Sequence, residues 1–155
     1  MRIETSQAMK SLGETIAGIA LGGDVLILTG ELGAGKTTFA QGVARGLGIT
    51  EPVTSPTFVM SKSYAPSSSL GLPGLLHLDV YRVSEVDQLL DLWSEIDAES
   101  SLTLVEWGAP WVNEFGECVV EVRINSEFDS EREIEFMAHS PLGESFLHRI
   151  ESVLA

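Results

Sequence analysis

Gly30-Glu31-Leu32-Gly33-Ala34-Gly35-Lys36-Thr37 satisfies the phosphate-loop pattern GxxxxGK[ST] at every fixed position. Each residue type has a physical reason to be there. Glycines let the backbone wrap an anion without a Cβ in the way, so successive amides turn inward as a nest. The positive end of the helix that follows faces the same anion. Lys36 supplies a mobile charge for the β- and γ-phosphates, and the Thr37 hydroxyl is a hard oxygen suited to Mg²⁺. A nucleotide's polyphosphate would then rest on Gly33, Ala34, Gly35, Lys36, Thr37 and Thr38. The bland alternative is a glycine-rich turn with a surface lysine.

Three further positions have types that suit the same chemistry. Glu106 ends the apolar run Leu102-Thr103-Leu104-Val105, the form of a strand that delivers an acid to the sheet edge where ligands bind. The competing reading is a surface acid at a strand end. Asp79 follows Leu75-Leu76-His77-Leu78 and suits a Mg²⁺-binding or water-positioning role, against a solvated acid or one paired with Arg82. Thr57, in Ser55-Pro56-Thr57, is placed to act as a switch near the γ-phosphate, against an ordinary turn.

Other chemistries find little support. The lysines follow Met9, Gly35 and Ser61, so none sits in the N-K-x-D motif of guanine selection. No cluster of arginines offers the basic lid of a small-molecule kinase, and no L-S-G-G-Q stretch marks a transporter-type ATPase. A single cysteine, Cys118, excludes an internal disulfide and reads as a small side chain in a strand. His77, His139 and His148 lack metal-ligand spacing. Trp93, Trp107 and Trp111 read as core or interface residues.

The elements that must position these residues follow from periodicity. Thr5 or Ser6 caps a helix carrying Met9, Leu12, Ile16 and Ile19, ended by Gly22-Gly23-Asp24. Val25–Thr29 is a continuous apolar run, expected as a strand buried on both faces. A helix over Thr37–Leu47 follows, stopped by Gly46 and Gly48. Phe58–Tyr64 and Leu75–Tyr81 suit an antiparallel hairpin across the Pro/Gly/Ser-rich loop Ala65–Gly74. Ser84-Glu85-Val86-Asp87 resembles a capping box opening a short helix through Leu92. Strands are expected at Leu102–Trp107, Cys118–Ile124 and Arg132–Ala138, with a closing helix over Leu142–Leu154. The expected fold is therefore a three-layer α/β phosphate-loop domain with a mixed sheet, spanning residues 1–155.

Charge adds a constraint on partners. The 155 residues carry a net −14, with hydrophobic residues at 44%, enough for a sizeable core. Residues 1–84 balance six acids against six bases, so the whole excess falls on the remainder, where 17 acids face only Arg123, Arg132 and Arg149. Such a chain has no electrostatic footprint for gripping nucleic acid by itself, and any such role must be indirect. The acidic run Glu127–Glu135 reads as a solvated face, with partner docking as the minority reading. No apolar run approaches a membrane span, and the expected location is the cytoplasm.

Together these segments resemble the TsaE (YjeE-type) ATPases of bacterial tRNA threonylcarbamoyladenosine biosynthesis. The resemblance rests on Gly30–Thr38, Gly46-Leu47-Gly48, Val53–Phe58, His77-Leu78-Asp79-Val80-Tyr81-Arg82 and Leu104-Val105-Glu106-Trp107, in that order along most of the chain. It implies an ATP-hydrolysing accessory protein that uses Mg²⁺ and works with TsaD and TsaB, reaching tRNA only through that complex. It implies that Lys36 contacts phosphate, that Thr37 and Glu106 hold Mg²⁺, and that Thr57 and Asp79 belong to switch-like segments. It also implies that Ser6 and Glu131-Arg132 approach the base. Two features depart from the family pattern: Gly108-Ala109-Pro110 follows the Val-Glu-Trp run, and the loop Ala65–Gly74 is long and serine-rich. Two rivals stay open at this stage, a small-molecule kinase and a nucleotide-gated assembly module that needs no turnover.

Overall fold

The computed structural model describes residues 1–56, 60–65, 71–126 and 131–155. Along the chain these form β1 (Arg2–Ile3), α1 (Ser6–Ala17), β2 (Asp24–Thr29), α2 (Lys36–Gly46), β3 (Ser61–Tyr64) and β4 (Gly74–Asp79). Then come α3 (Val86–Ser94), β5 (Ser101–Glu106), a 3₁₀ turn at Ala109–Trp111, β6 (Cys118–Ser126), β7 (Arg132–Ala138) and α4 (Pro141–Leu154).

One mixed sheet takes all the strands in the order β1-β7-β6-β2-β5-β4-β3. Its centre is parallel: β2 lies between β6 and β5, and β4 runs parallel beyond β5. The edges are antiparallel, with β3 on β4, β7 on β6 and β1 on β7. Alternation along β2 divides the core. Leu26 and Leu28 face α1, α2 and α4, while Val25 and Ile27 face the layer that holds Leu89 of α3 and Phe115. The expected three-layer arrangement with a mixed sheet is therefore present, and the hairpin expected across Ala65–Gly74 is present as β3 and β4.

Most boundaries follow the sequence signals. Thr5 caps α1 by accepting from the Ala8 amide at 3.0 Å, and Ser140 caps α4 by accepting from Gly143 at 3.0 Å. Two expectations shift. The first helix ends at Ala17, because Ile19 and Ala20 donate three residues back instead of four and tighten the chain out of the helix before Gly22. At the start of α3 the capping residue is Glu85, with no side-chain cap bond. The return bond to the Ser84 amide comes from Gln88 at 3.1 Å, since Asp87 is a methylene shorter than the Glu of a capping box.

α1 and α2 pack unusually close. A Cβ at Gly13 would stand 2.5 Å from the Phe39 carbonyl oxygen, and one at Gly42 would strike the Lys10 backbone. That contact fixes α2, whose first residue is Lys36, against the sheet. Register then sets the site: Leu28 pairs with Glu106, and Glu106 pairs with Asp79. The end of β2, the end of β5 and the end of β4 are thus level, at the edge from which the phosphate loop departs.

Candidate functional site

The loop between β2 and α2 is held open by its backbone. Gly33 and Gly35 adopt φ values of +80° and +113°, in the left-handed region that a side chain resists. Gly35 is also the residue before α2, where no side chain caps the helix, so the first amides stay available to an anion. Lys36 is buried, with its Nζ donating to the Gly30 carbonyl at 2.7 Å and the Glu31 carbonyl at 2.9 Å. Its ammonium also lies 4.7 Å from the centre of the Trp107 ring.

Trp107 reaches that position through an exceptional backbone. Strand alternation would send it to the face opposite Glu106, but its φ of +63° turns the chain at the end of β5. Tyr81 then meets Trp107 edge to face at 5.1 Å. The pair separates two cavities. One, of about 580 Å³, is lined by Lys36, Thr37, Thr38, Ser55, Asp79 and Glu106 among others. The other, of about 780 Å³, is lined by Val80, Val83, Pro110 and Trp111, and its only carboxylate among the described residues is Glu31. The smaller cavity, not the larger, holds the converging charges.

Glu106 is 3% exposed and Asp79 is 4% exposed, so both carboxylates are buried beside the lysine. Asp79 Oδ1 accepts the Tyr81 amide at 3.0 Å, which makes it a turn-forming acid and not simply a solvated one. Glu106 Oε2 accepts the Ser55 hydroxyl at 2.9 Å. Burial works against ionisation of Glu106, but the neighbouring His77, the Ser55 hydroxyl and the Lys36 charge outweigh it, holding the carboxyl below the usual glutamate range. Burial pushes the Lys36 ammonium below the usual lysine range, with Glu106 and Asp79 acting in the opposite direction.

A hard cation has suitable donors here. The Thr37 hydroxyl and the Glu106 carboxylate line one cavity, and both are oxygen ligands. Among the described residues no group of three or more His, Cys, Asp or Glu could hold a metal alone. The set therefore suits an ion that completes its coordination with phosphate oxygens and water, as Mg²⁺ does.

Of the residues singled out in the sequence, Lys36, Thr37, Thr38, Asp79 and Glu106 are brought together, with Gly33 and Gly35 on the same cavity wall. Ser6 and Arg132 are brought beside the loop, on a smaller neighbouring cavity shared with Ala34 and Thr38. Arg132 Nε donates to the Ala34 carbonyl at 2.9 Å, so part of its guanidinium braces the loop. Thr57 lies outside the described residues. Cys118 is half-buried and donates to Asp24 Oδ1 at 3.1 Å, and burial, then that hydrogen bond and the Asp24 charge, push the thiol up to about 12, far from a nucleophile's range.

Sequence reasoning named Ser55, His77, Trp107 and Tyr81 but gave none of them a role at this cavity. Ser55 was legible only as a neighbour of Thr57, although Val53 is buried and its carbonyl accepts from Gln41 at 3.3 Å, which ties the segment to α2. His77 had a readable signal: two residues before Asp79 on a strand, it shares that residue's face.

Residues 3–134 match the family described as threonylcarbamoyl adenosine biosynthesis protein TsaE. This chain belongs to the TsaE family. A Streptomyces coelicolor protein named tRNA threonylcarbamoyladenosine biosynthesis protein TsaE is 40% identical over 149 residues, covering 95% of this chain and 99% of the relative. The Bacillus subtilis protein of the same name is 39% identical over 137 residues, covering 88% and 84%. The crystal structure of Bacillus subtilis YdiB superposes with a TM-score of 0.78 at 33% identity, covering 98% of this TsaE-family chain and 93% of that one. The departures at Gly108-Ala109-Pro110 and Ala65–Gly74 leave membership intact.

Proposed function

We propose that this chain binds ATP with Mg²⁺ and hydrolyses it, as an accessory protein of tRNA threonylcarbamoyladenosine biosynthesis that works with TsaD and TsaB. The observation that carries the reading is the convergence of Lys36, Thr37, Asp79 and Glu106 on one cavity beside an uncapped helix start. Membership in the TsaE family supports the pathway. Lys36 and the loop amides offset the polyphosphate charge, and Thr37 and Glu106 hold the cation. Bound Mg²⁺ supplies charge neutralisation at the phosphoryl oxygens. Asp79, fixed by the Tyr81 amide, orients water. Ser6 and Arg132 border the base side, and Thr57 belongs to the segment that senses the γ-phosphate.

Lys36 is the only cationic side chain lining this cavity among the described residues. Beyond Lys36 and Mg²⁺, a transferring phosphoryl group gains from a further positive group such as an arginine supplied in trans, so a partner completes or positions the site. The net −14 fits a chain that meets a basic protein surface and reaches tRNA through it. No helix of the described residues is long and apolar enough to cross a membrane, and the cytoplasm is part of the proposal. Phosphate release measured with and without purified TsaB and TsaD tests the reading. Turnover should be slow alone and rise at least about tenfold in the complex, as with catalytic groups supplied in trans. Release that does not respond to the partners contradicts it.

A further inference from the structure

His77 is fully buried on β4, and neither ring nitrogen makes a full hydrogen bond among the described residues. A buried donor left so poorly satisfied costs stability unless something else requires it. What it faces is a carboxylate: Nε2 lies 3.3 Å from Glu106 Oε2, a close contact just short of good hydrogen-bond geometry. The strand pairing explains the approach. His77 pairs with Leu104, and Glu106 stands two residues further along the same face of β5.

Ser55 donates to the same oxygen from the other direction, at 2.9 Å. Both contacts therefore fall on Oε2, and no described residue bonds to Oε1, which is left for a cation or water. We propose that His77 is a positioning residue: with Ser55 it fixes the Glu106 carboxylate by one oxygen, so that the other is presented to Mg²⁺ at the phosphate loop. This deepens, and rests on, the ATP–Mg²⁺ reading above. His77 is flanked by Leu104 on β5 and Lys62 on β3, and among the described residues it has no hydrogen-bonding partner other than the Glu106 contact to lose. An apolar residue of similar volume therefore keeps the fold and removes only the aimed N–H.

His77→Leu and His77→Gln separate the possibilities, because a Gln amide nitrogen reaches about as far as imidazole Nε2. The Mg²⁺ dependence of nucleotide binding is read by calorimetry, and that of turnover by phosphate release. His77→Leu should keep its thermal midpoint and its metal-free nucleotide affinity. Its half-saturating Mg²⁺ should rise about fivefold, the effect of one modest polar contact, and His77→Gln should recover most of the shift. Wild-type Mg²⁺ dependence in His77→Leu overturns the proposal while leaving the ATPase reading intact. Equal losses in His77→Leu and His77→Gln, with lowered midpoints, also overturn it, because the role is then packing. A wild-type chain whose nucleotide binding ignores Mg²⁺ overturns both.

Discussion

Two buried carboxylates stand at opposite ends of the parallel strands, and their surroundings differ. Asp24 opens β2 at 3% exposure and uses both oxygens. Oδ1 accepts Arg149 at 2.8 Å and Cys118 at 3.1 Å, while Oδ2 accepts the Leu21 amide at 2.7 Å and Arg149 at 3.0 Å. Glu106 closes β5 at the same exposure, and its contacts with Ser55 and His77 reach one oxygen only. A carboxylate with every lone pair engaged fastens helix to sheet. One that keeps an oxygen without a partner among the described residues, beside a buried lysine, is what the proposed Mg²⁺ role requires. Burial alone thus says little about function, and the completeness of hydrogen bonding says more.

That contrast breaks most sharply under exchange of the two roles. Glu106→Gln should lower phosphate release by about a hundredfold or more while the unfolding midpoint holds, since an amide fills the same space without the charge. Asp24→Asn should do the reverse. Leaving Arg149 without its anion should cost about 2 kcal/mol, some 4–8 °C in midpoint, with turnover per folded molecule unchanged. Calorimetric melting and phosphate-release assays on both variants check the crossover. Parallel losses in both variants would erase the distinction.

A smaller effect sharpens it. Glu121, buried on β6, contacts Arg123 at 2.9 Å and His139 at 2.8 Å. Burial opposes its ionisation, but these partners prevail and hold its carboxyl below the usual glutamate range. A depressed carboxyl stabilises the fold above its unfolded value, about pH 4.3, and that stability is lost as pH falls through the lower folded value. Glu121→Gln should therefore be less stable than the parent at neutral pH, and should lose less on acidification below about pH 4 in denaturant titrations.

How much of this was legible depends on how local each signal is. The glycine-rich loop is contiguous, and its strand and helix carry their own periodicity, so the placement of Lys36 and Thr37 at the start of α2 could be read from the sequence. The buried position of Glu106 at the end of β5 was legible because a buried parallel strand reads as an apolar run, here closed by an acid. The level register of Leu28, Glu106 and Asp79 was not, because pairing across strands leaves no mark within any one of them. Trp107 was hidden by its φ of +63°, which breaks the alternation from which its direction would be inferred. Ser55 meets Glu106 across 51 positions of sequence, and no spacing rule spans that distance. β1, two residues long, exists because Arg2 and Ile3 pair with β7 and not because of any local preference.

Isothermal titration with ATP, with and without Mg²⁺, probes most directly whether the loop lysine and the strand-end carboxylate serve one nucleotide. The wild-type chain should bind MgATP, Lys36→Ala should weaken binding by about a hundredfold, and Glu106→Gln should retain metal-free binding while losing the Mg²⁺ enhancement. No heat from the wild type at millimolar MgATP, or Lys36→Ala binding as tightly as the wild type, would contradict the account.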